Sequence, residues 1–151
     1  MVKYLLDTNV VSEMRKGSRC HPQVASWVSG VAERDLCLSV MVLGEVRKGV
    51  ERLRPKDPLR ADALEAWLGQ LTTHFGDRVI EVDAKVCDIW GRMNAKRDIA
   101  VVDGLQAATA KAHDLTLVTR NDGDLAGLDV TVLNPFTGRT GAPPGFHEDA
   151  S

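Results

Sequence analysis

The sequence predicts an α/β fold whose strands form a parallel sheet with helices packed on it. Five short runs rich in apolar and β-branched residues alternate with segments of helical periodicity, the pattern of successive βαβ units. Aromatic residues make up only 5% of the chain, so the core must be built from Val, Leu, Ile and Ala, as in sheets covered on both faces. At 151 residues there is one core's worth of chain, and no Pro/Gly/Ser-rich linker or internal repeat divides the first 133 residues.

The first strand is read over Val2–Leu6, an apolar run that stops abruptly at Asp7-Thr8-Asn9, with a helix starting near Val10. A helix is predicted over Pro22–Ala32, where proline suits the first turn and Val24, Trp27, Val28 and Val31 share a face. Leu36–Val40 follows the charged turn Glu33 to Asp35 and reads as a second buried strand. Met41–Leu53 is helical, with Val42, Val46, Gly49, Val50 and Leu53 on one stripe. Pro58–Phe75 carries Leu59, Ala63, Trp67 and Leu71 in the same way. A third strand, Val79–Val82, precedes a helix over Asp83–Met93 with Val86, Ile89, Trp90 and Met93 on its core face. The alanine-rich Val101–Ala112 is strongly helical; Asp103, Ala107 and Ala110 share a face, which suggests close approach to other backbone. Strands at Thr116–Thr119 and Val130–Leu133 complete the set. Beyond them the Gly- and Pro-dense stretch NPFTGRTGAPPGFHEDAS loses periodicity, and residues 137–151 are expected to form a flexible tail.

Nineteen basic and twenty-one acidic residues give a net charge of -2, so no global positive field draws the chain to nucleic acid or an anionic membrane. A phosphate-rich ligand would have to be captured locally. No apolar stretch is long enough to span a bilayer, and MVKYLLDTN turns polar too early for a signal peptide, so a cytoplasmic protein without membrane contact is expected. Cys20, Cys37 and Cys87 are an odd set without a C-x-x-C pair, which speaks against disulfides and zinc; Cys37 and Cys87 are expected to be small buried hydrophobes. His21, His74, His113 and His147 lack metal-binding spacing, and Trp27, Trp67 and Trp90 lie on apolar stripes.

In open parallel sheets, ligands bind beyond the carboxyl ends of the strands, where strand order reverses. Asp7 follows the first strand, Thr119-Arg120-Asn121-Asp122-Gly123-Asp124 follows the fourth, and Glu45 and Asp103 lie near the starts of helices leaving the same edge. Four segments thus deliver carboxylates to one rim, a donor set suited to Mg²⁺. Each residue also has a plainer role. Asp7 is placed to cap a helix, Asp103 to complement a helix dipole, Glu45 to occupy a solvated edge, and Asp122 and Asp124 to make a turn.

The segments KYLLDTNVVSE, VLGEVRKGVERL, VVDGLQAATAKAHDLTLVTRNDGDL and LNPF, in this order across residues 1–136, resemble the PIN domain of VapC- and FitB-type toxins. The resemblance implies a three-layer α/β/α domain over 1–136 with a parallel sheet of four to five strands. It also implies a Mg²⁺-dependent endoribonuclease, with Mn²⁺ as a substitute, that cuts tRNA or another structured RNA to 5′-phosphate and 3′-hydroxyl ends. Its partners would be a cognate antitoxin and a second copy of the chain. The acidic set carries over as Asp7, Glu45, Asp103 and Asp124, with Asn9, Thr119 and Asn121 as supporting polar groups. Asn121 stands where many relatives carry an aspartate, and Asp122 is an alternative to Asp124; Leu125 after the last acid favours Asp124. Converging carboxylates raise one another's proton affinity, a cost that Mg²⁺ removes while it activates a water for in-line attack. Arg47 and Lys48, in the basic stretch on and after the Glu45 helix, are candidate RNA contacts.

Other classes fit less well. A haloacid dehalogenase-type phosphotransferase wants a second aspartate where this chain has Asn9, a receiver-like phosphoacceptor wants a lysine after a late strand whereas Lys111 lies within a helix, and a dinucleotide-binding domain wants a glycine-rich first turn. A non-catalytic module whose acidic rim docks a basic peptide remains an alternative.

Overall fold

A computed structural model describes residues 2–141. The elements are β1 (Tyr4–Leu6), α1 (Thr8–Arg15), α2 (Pro22–Ser29), β2 (Leu36–Ser39), α3 (Val40–Leu53), α4 (Pro58–Phe75), β3 (Val79–Ile80), α5 (Ala84–Lys96), α6 (Val101–Ala112), β4 (Thr116–Val118), β5 (Val132–Asn134) and β6 (Arg139–Gly141). They form one sheet in the order β3-β2-β1-β4-β5-β6. All neighbours are parallel except β5 and β6, which are antiparallel.

The sheet is buried on both faces because its short strands are apolar at successive positions. Leu5 and Leu117 point into a core with Val86, Met93, Ala107 and Ala110 beneath α5 and α6. Leu6, Leu38 and Val118 point the other way, onto Val10, Val24, Val42, Leu71 and Phe75 of α1 to α4. Helices on both sides of one sheet give the three layers the resemblance implies. Gly104 lets α5 and α6 close up, since a Cβ built there would lie 3.0 Å from the Trp90 indole nitrogen.

Local chemistry sets the element ends. Ser39 caps α3 through Met41 N, Asp57 caps α4 with Pro58 at its first position, and Asp83 caps α5 through Val86 N. These caps shift the predicted boundaries by a few residues only.

Two expectations are corrected. Five strands of the sheet are parallel, as expected, but among the described residues a sixth, antiparallel strand lies in the segment read as a tail. The Asn134 carbonyl accepts the Thr137 and Gly138 amides, Gly138 takes φ +77, and the turn folds Arg139–Gly141 back onto β5. All three β6 residues are exposed, so no apolar alternation marks them in the sequence. Residues 142–151 of the expected tail lie outside the described residues. Cys87 is exposed rather than buried, because it falls beside the Val86, Ile89, Trp90 and Met93 stripe of α5, whereas Cys37 is buried as expected.

Candidate active site

From β1 the chain moves outward to β2 and β3, then returns to lay β4 on the other side of β1. The crevice at this reversal lies beyond the carboxyl ends of β1 and β4, where a ligand is expected. Asp7 leaves β1 there and Thr119 leaves β4 beside it.

Asp7 is 5% exposed and surrounded by donors. Its Oδ1 accepts from the Thr8 amide at 2.7 Å and from Gln106 Nε2 at 2.7 Å. Its Oδ2 accepts from Thr119 Oγ1 at 2.6 Å and from Asn9 Nδ2 at 3.3 Å. It is also the N-cap of α1, so the capping role and a site role coincide in one carboxylate. Four donors fill about as many lone-pair positions as a carboxylate has, and they hold the side chain in one orientation.

The supporting polar residues tie β1 to β4. Asn9 Nδ2 also reaches Thr119 Oγ1 at 3.4 Å, while Asn9 Oδ1 accepts the Arg120 amide at 3.2 Å. Thr119 Oγ1 accepts the Asn121 amide at 3.0 Å, so this hydroxyl gives its proton to Asp7 and orients the next turn.

Glu45 enters from α3, half-buried between the core-facing Val42 and Val46, and its Oε1 accepts from Thr8 Oγ1 at 2.6 Å. Asp103, the third residue of α6, is half-buried at the same crevice. Its carboxyl is pushed above the usual aspartate range by burial first, then by the negative charges of Asp7, Glu45 and Asp124, with the Asn121 side chain pulling the other way. One group thus feels the charge of all three other predicted acids.

Asp122 and Asp124 diverge. Asp122 Oδ1 accepts from Asn134 Nδ2 at 3.0 Å and its Oδ2 lies 3.7 Å from Arg139, so it faces β5 and β6. Asp124 is exposed, and Arg97 at the end of α5 holds its turn by donating to the Asp124 and Ala126 carbonyls. The charge of Asp124 is felt at Asp103, whereas Asp122 is engaged by Asn134 and Arg139. Arg47 is bound by Glu51 at 3.3 Å and by Glu65, while Lys48 is exposed on the same helix.

Gln106, Thr8 and Arg97 are the site residues that the sequence reading missed. Gln106 is 1% exposed, and its Oε1 has no hydrogen-bond partner even though its amide grips Asp7. A buried orphan acceptor beside a carboxylate cluster calls for a water or cation. The donor set is all oxygen, as a hard cation requires, yet no three of these side chains enclose a metal position among the described residues. Mg²⁺ keeps several of its waters and binds directly through one or two carboxylates, so an open ring of four acids fits it.

The relatives agree with this fold. The chain is 34% identical over 140 residues to the toxin FitB of Neisseria gonorrhoeae, covering 87% of this chain and 97% of that one. It is 34% identical over 79 residues to the ribonuclease VapC14 of Mycobacterium tuberculosis, covering 52% of this chain and 69% of that one. The crystal structure of FitAcB from Neisseria gonorrhoeae superposes with a TM-score of 0.79 at 33% identity, covering 88% of this chain and 98% of that chain. The PIN domain model matches residues 4–130, from the first residue of β1 to just short of β5, and the chain belongs to the PIN domain family.

Proposed function

We propose that the chain is the toxin of a toxin–antitoxin pair, a Mg²⁺-dependent endoribonuclease that cuts tRNA or another structured RNA. The observation that carries this reading is the bonding of Asp7 by Thr8, Asn9, Gln106 and Thr119 at the crevice between β1 and β4, with Thr8 also holding Glu45; Asp103 nearby has its proton affinity raised by burial first and then by the charges of Asp7, Glu45 and Asp124. Clustered like charges are costly in a fold that needs only stability, and a cation or substrate site is what repays them.

Asp103, Glu45 and Asp124 are the acids with capacity to hold Mg²⁺, or Mn²⁺ in its place, and Asp7 completes the charge from its fixed position. The bound ion would supply charge neutralisation at the phosphodiester and a more acidic water. The protein's own part is orientation. Thr119, Asn9, Gln106 and the Thr8 amide hold Asp7, and Thr8 Oγ1 holds Glu45, so two acids keep their directions while substrate enters. Asp103, whose proton affinity is raised by burial and by its acidic neighbours, gains the most from a cation that neutralises this charge.

The antitoxin of this reading has a place to dock. An apolar groove of about 490 Å³ runs between α1, α2 and α4, lined by Val11, Met14, Val28, Trp67, Leu71 and Phe75. It suits the apolar face of a helix, and α1 leads from it to Asp7. The homodimer belongs to the same reading, with Leu59 and Val101, left 82% and 58% exposed, as apolar surface for self-association to cover.

Inducible expression in a bacterial host tests the proposal. Growth arrest accompanied by new 5′-phosphate RNA ends, both absent for Asp7→Asn, is the expected result. Growth arrest without new RNA ends would contradict the nuclease and leave the acidic docking module.

A further inference from the structure

At the end of α1 farthest from Asp7, Ser12, Arg15, Lys16 and Arg19 line a hollow of about 460 Å³. Helical residues three and four apart stack on one face, so Thr8, Ser12 and the pair Arg15 and Lys16 form a continuous row, which Arg19 extends in the following turn. The row begins inside the acidic site, since Thr8 donates to Glu45. At 1.5 Å per residue it reaches Lys16 about 12 Å farther along the helix axis.

The cations of the hollow are exposed and largely uncommitted. Arg15 stacks over the Trp67 ring at 5.3 Å, a contact that orients the guanidinium without neutralising it. Among the described residues neither Arg15 nor Arg19 forms an ion pair. Lys16 pairs with Glu13, whose other oxygen accepts the His21 amide. Three cations face one carboxylate, so the hollow is net positive. The proton affinity of Glu13 is lowered first by Lys16 and the His21 amide, and in small part by the charge of Arg120, which is held 3.8 Å over the Phe136 ring after β4. On α3 Arg47, and just past its end Arg54, are bound among Glu51, Asp62 and Glu65.

A ring of four carboxylates repels a polyanion, so a strand cut there has to be held by cations set to one side of the ring along its path. We propose that the Ser12, Arg15, Lys16 and Arg19 hollow binds backbone phosphates of the RNA strand cut at the acidic ring, an inference that rests on the nuclease reading. The forked guanidinium groups of Arg15 and Arg19 match phosphate oxygens, and the residues lining the hollow offer no aromatic face for a base. It positions the strand and does not read its sequence.

The test is binding of a labelled single-stranded RNA by the Asp103→Asn protein, which leaves the RNA uncut, across a salt series. Arg15→Gln with Arg19→Gln is expected to weaken binding at least ~10-fold and to lower the slope of log K against log salt by ~1.4, the share of two phosphates. Arg19→Gln alone, which removes no packing contact, should give about half that slope change. The charge-matched pair Lys85→Gln and Arg92→Gln, on α5 across the sheet, should change neither quantity appreciably. Equal affinity and slope in the Arg15 and Arg19 variants, with RNA still bound, would overturn the inference and leave the nuclease standing. No RNA binding by the Asp103→Asn protein at low salt would overturn both.

Discussion

Thr119 Oγ1 donates to Asp7 Oδ2 at 2.6 Å, joining residues 112 positions apart across the two strands that flank the crevice. Both groups are buried, with Thr119 fully enclosed and Asp7 nearly so. A hydrogen bond to a buried carboxylate contributes about 1.5–3 kcal/mol, and its loss leaves the acid short of a donor. Thr119→Val, similar in shape but without the hydroxyl, should therefore lower stability by about 1–3 kcal/mol and reduce kcat by roughly tenfold or more. Denaturant unfolding and single-turnover cleavage measure the two effects; unchanged values for both would mean that Asp7 is held without Thr119.

Asp103 yields a prediction in which stability and activity move in opposite directions. Its proton affinity is raised in the folded state, so its favourable contribution is complete below the pKa of the unfolded chain and is lost as pH rises through the folded value. At pH 7 the ionised carboxyl is a burden on the fold. Asp103→Asn should raise the melting temperature at pH 7 by a few degrees in chelator, and the gain should fade toward pH 4 while activity is absent throughout. A variant that melts lower than the parent at pH 7 would show that the repulsion from Asp7, Glu45 and Asp124 is not felt.

The two acids of the turn after β4 should separate cleanly. Asp124→Asn is expected to cut turnover by about 100-fold or more with little change in melting, since Asp124 is exposed. Asp122→Asn should keep most of the activity and lose up to about 1 kcal/mol of stability, through the bond from Asn134 and the pairing with Arg139. The reverse pattern in cleavage assays would assign the fourth acid to Asp122.

Gly104 tests the packing of α6, which carries Asp103. An alanine Cβ there would meet the Trp90 indole at 3.0 and 3.1 Å, so something must shift. Gly104→Ala should destabilise by about 1–3 kcal/mol despite the better helix propensity of alanine. Denaturation showing a gain in stability would mean that Trp90 moves aside freely.

The sequence carried most of the fold because its signals were local. Prolines at Pro22 and Pro58 and apolar stripes such as Val42, Val46 and Val50 marked the helices. β6 was hidden because it is exposed on both faces and rests on a turn. At the site, Asp7, Glu45, Asp103 and Asp124 were legible as acids at the sheet's carboxyl edge. What escaped notice depended on contacts distant in the chain. Gln106 read as part of an alanine-rich helix until Asp7 proved to lie beside it, and Asn134 turns Asp122 away from across 12 positions. For Arg47 the partner at Glu51 has ordinary helical spacing, but Glu65 lies on the next helix and no periodicity announces it.

The most direct test of the central claim is RNA cleavage by purified, partner-free protein in Mg²⁺ and in chelator, beside folded Asp7→Asn and Asp103→Asn. The account predicts cutting that requires the metal and disappears in both variants. Cutting that persists in chelator, or in either variant, would contradict it, as would intact tRNA and total RNA after incubation with folded, Mg²⁺-supplied protein.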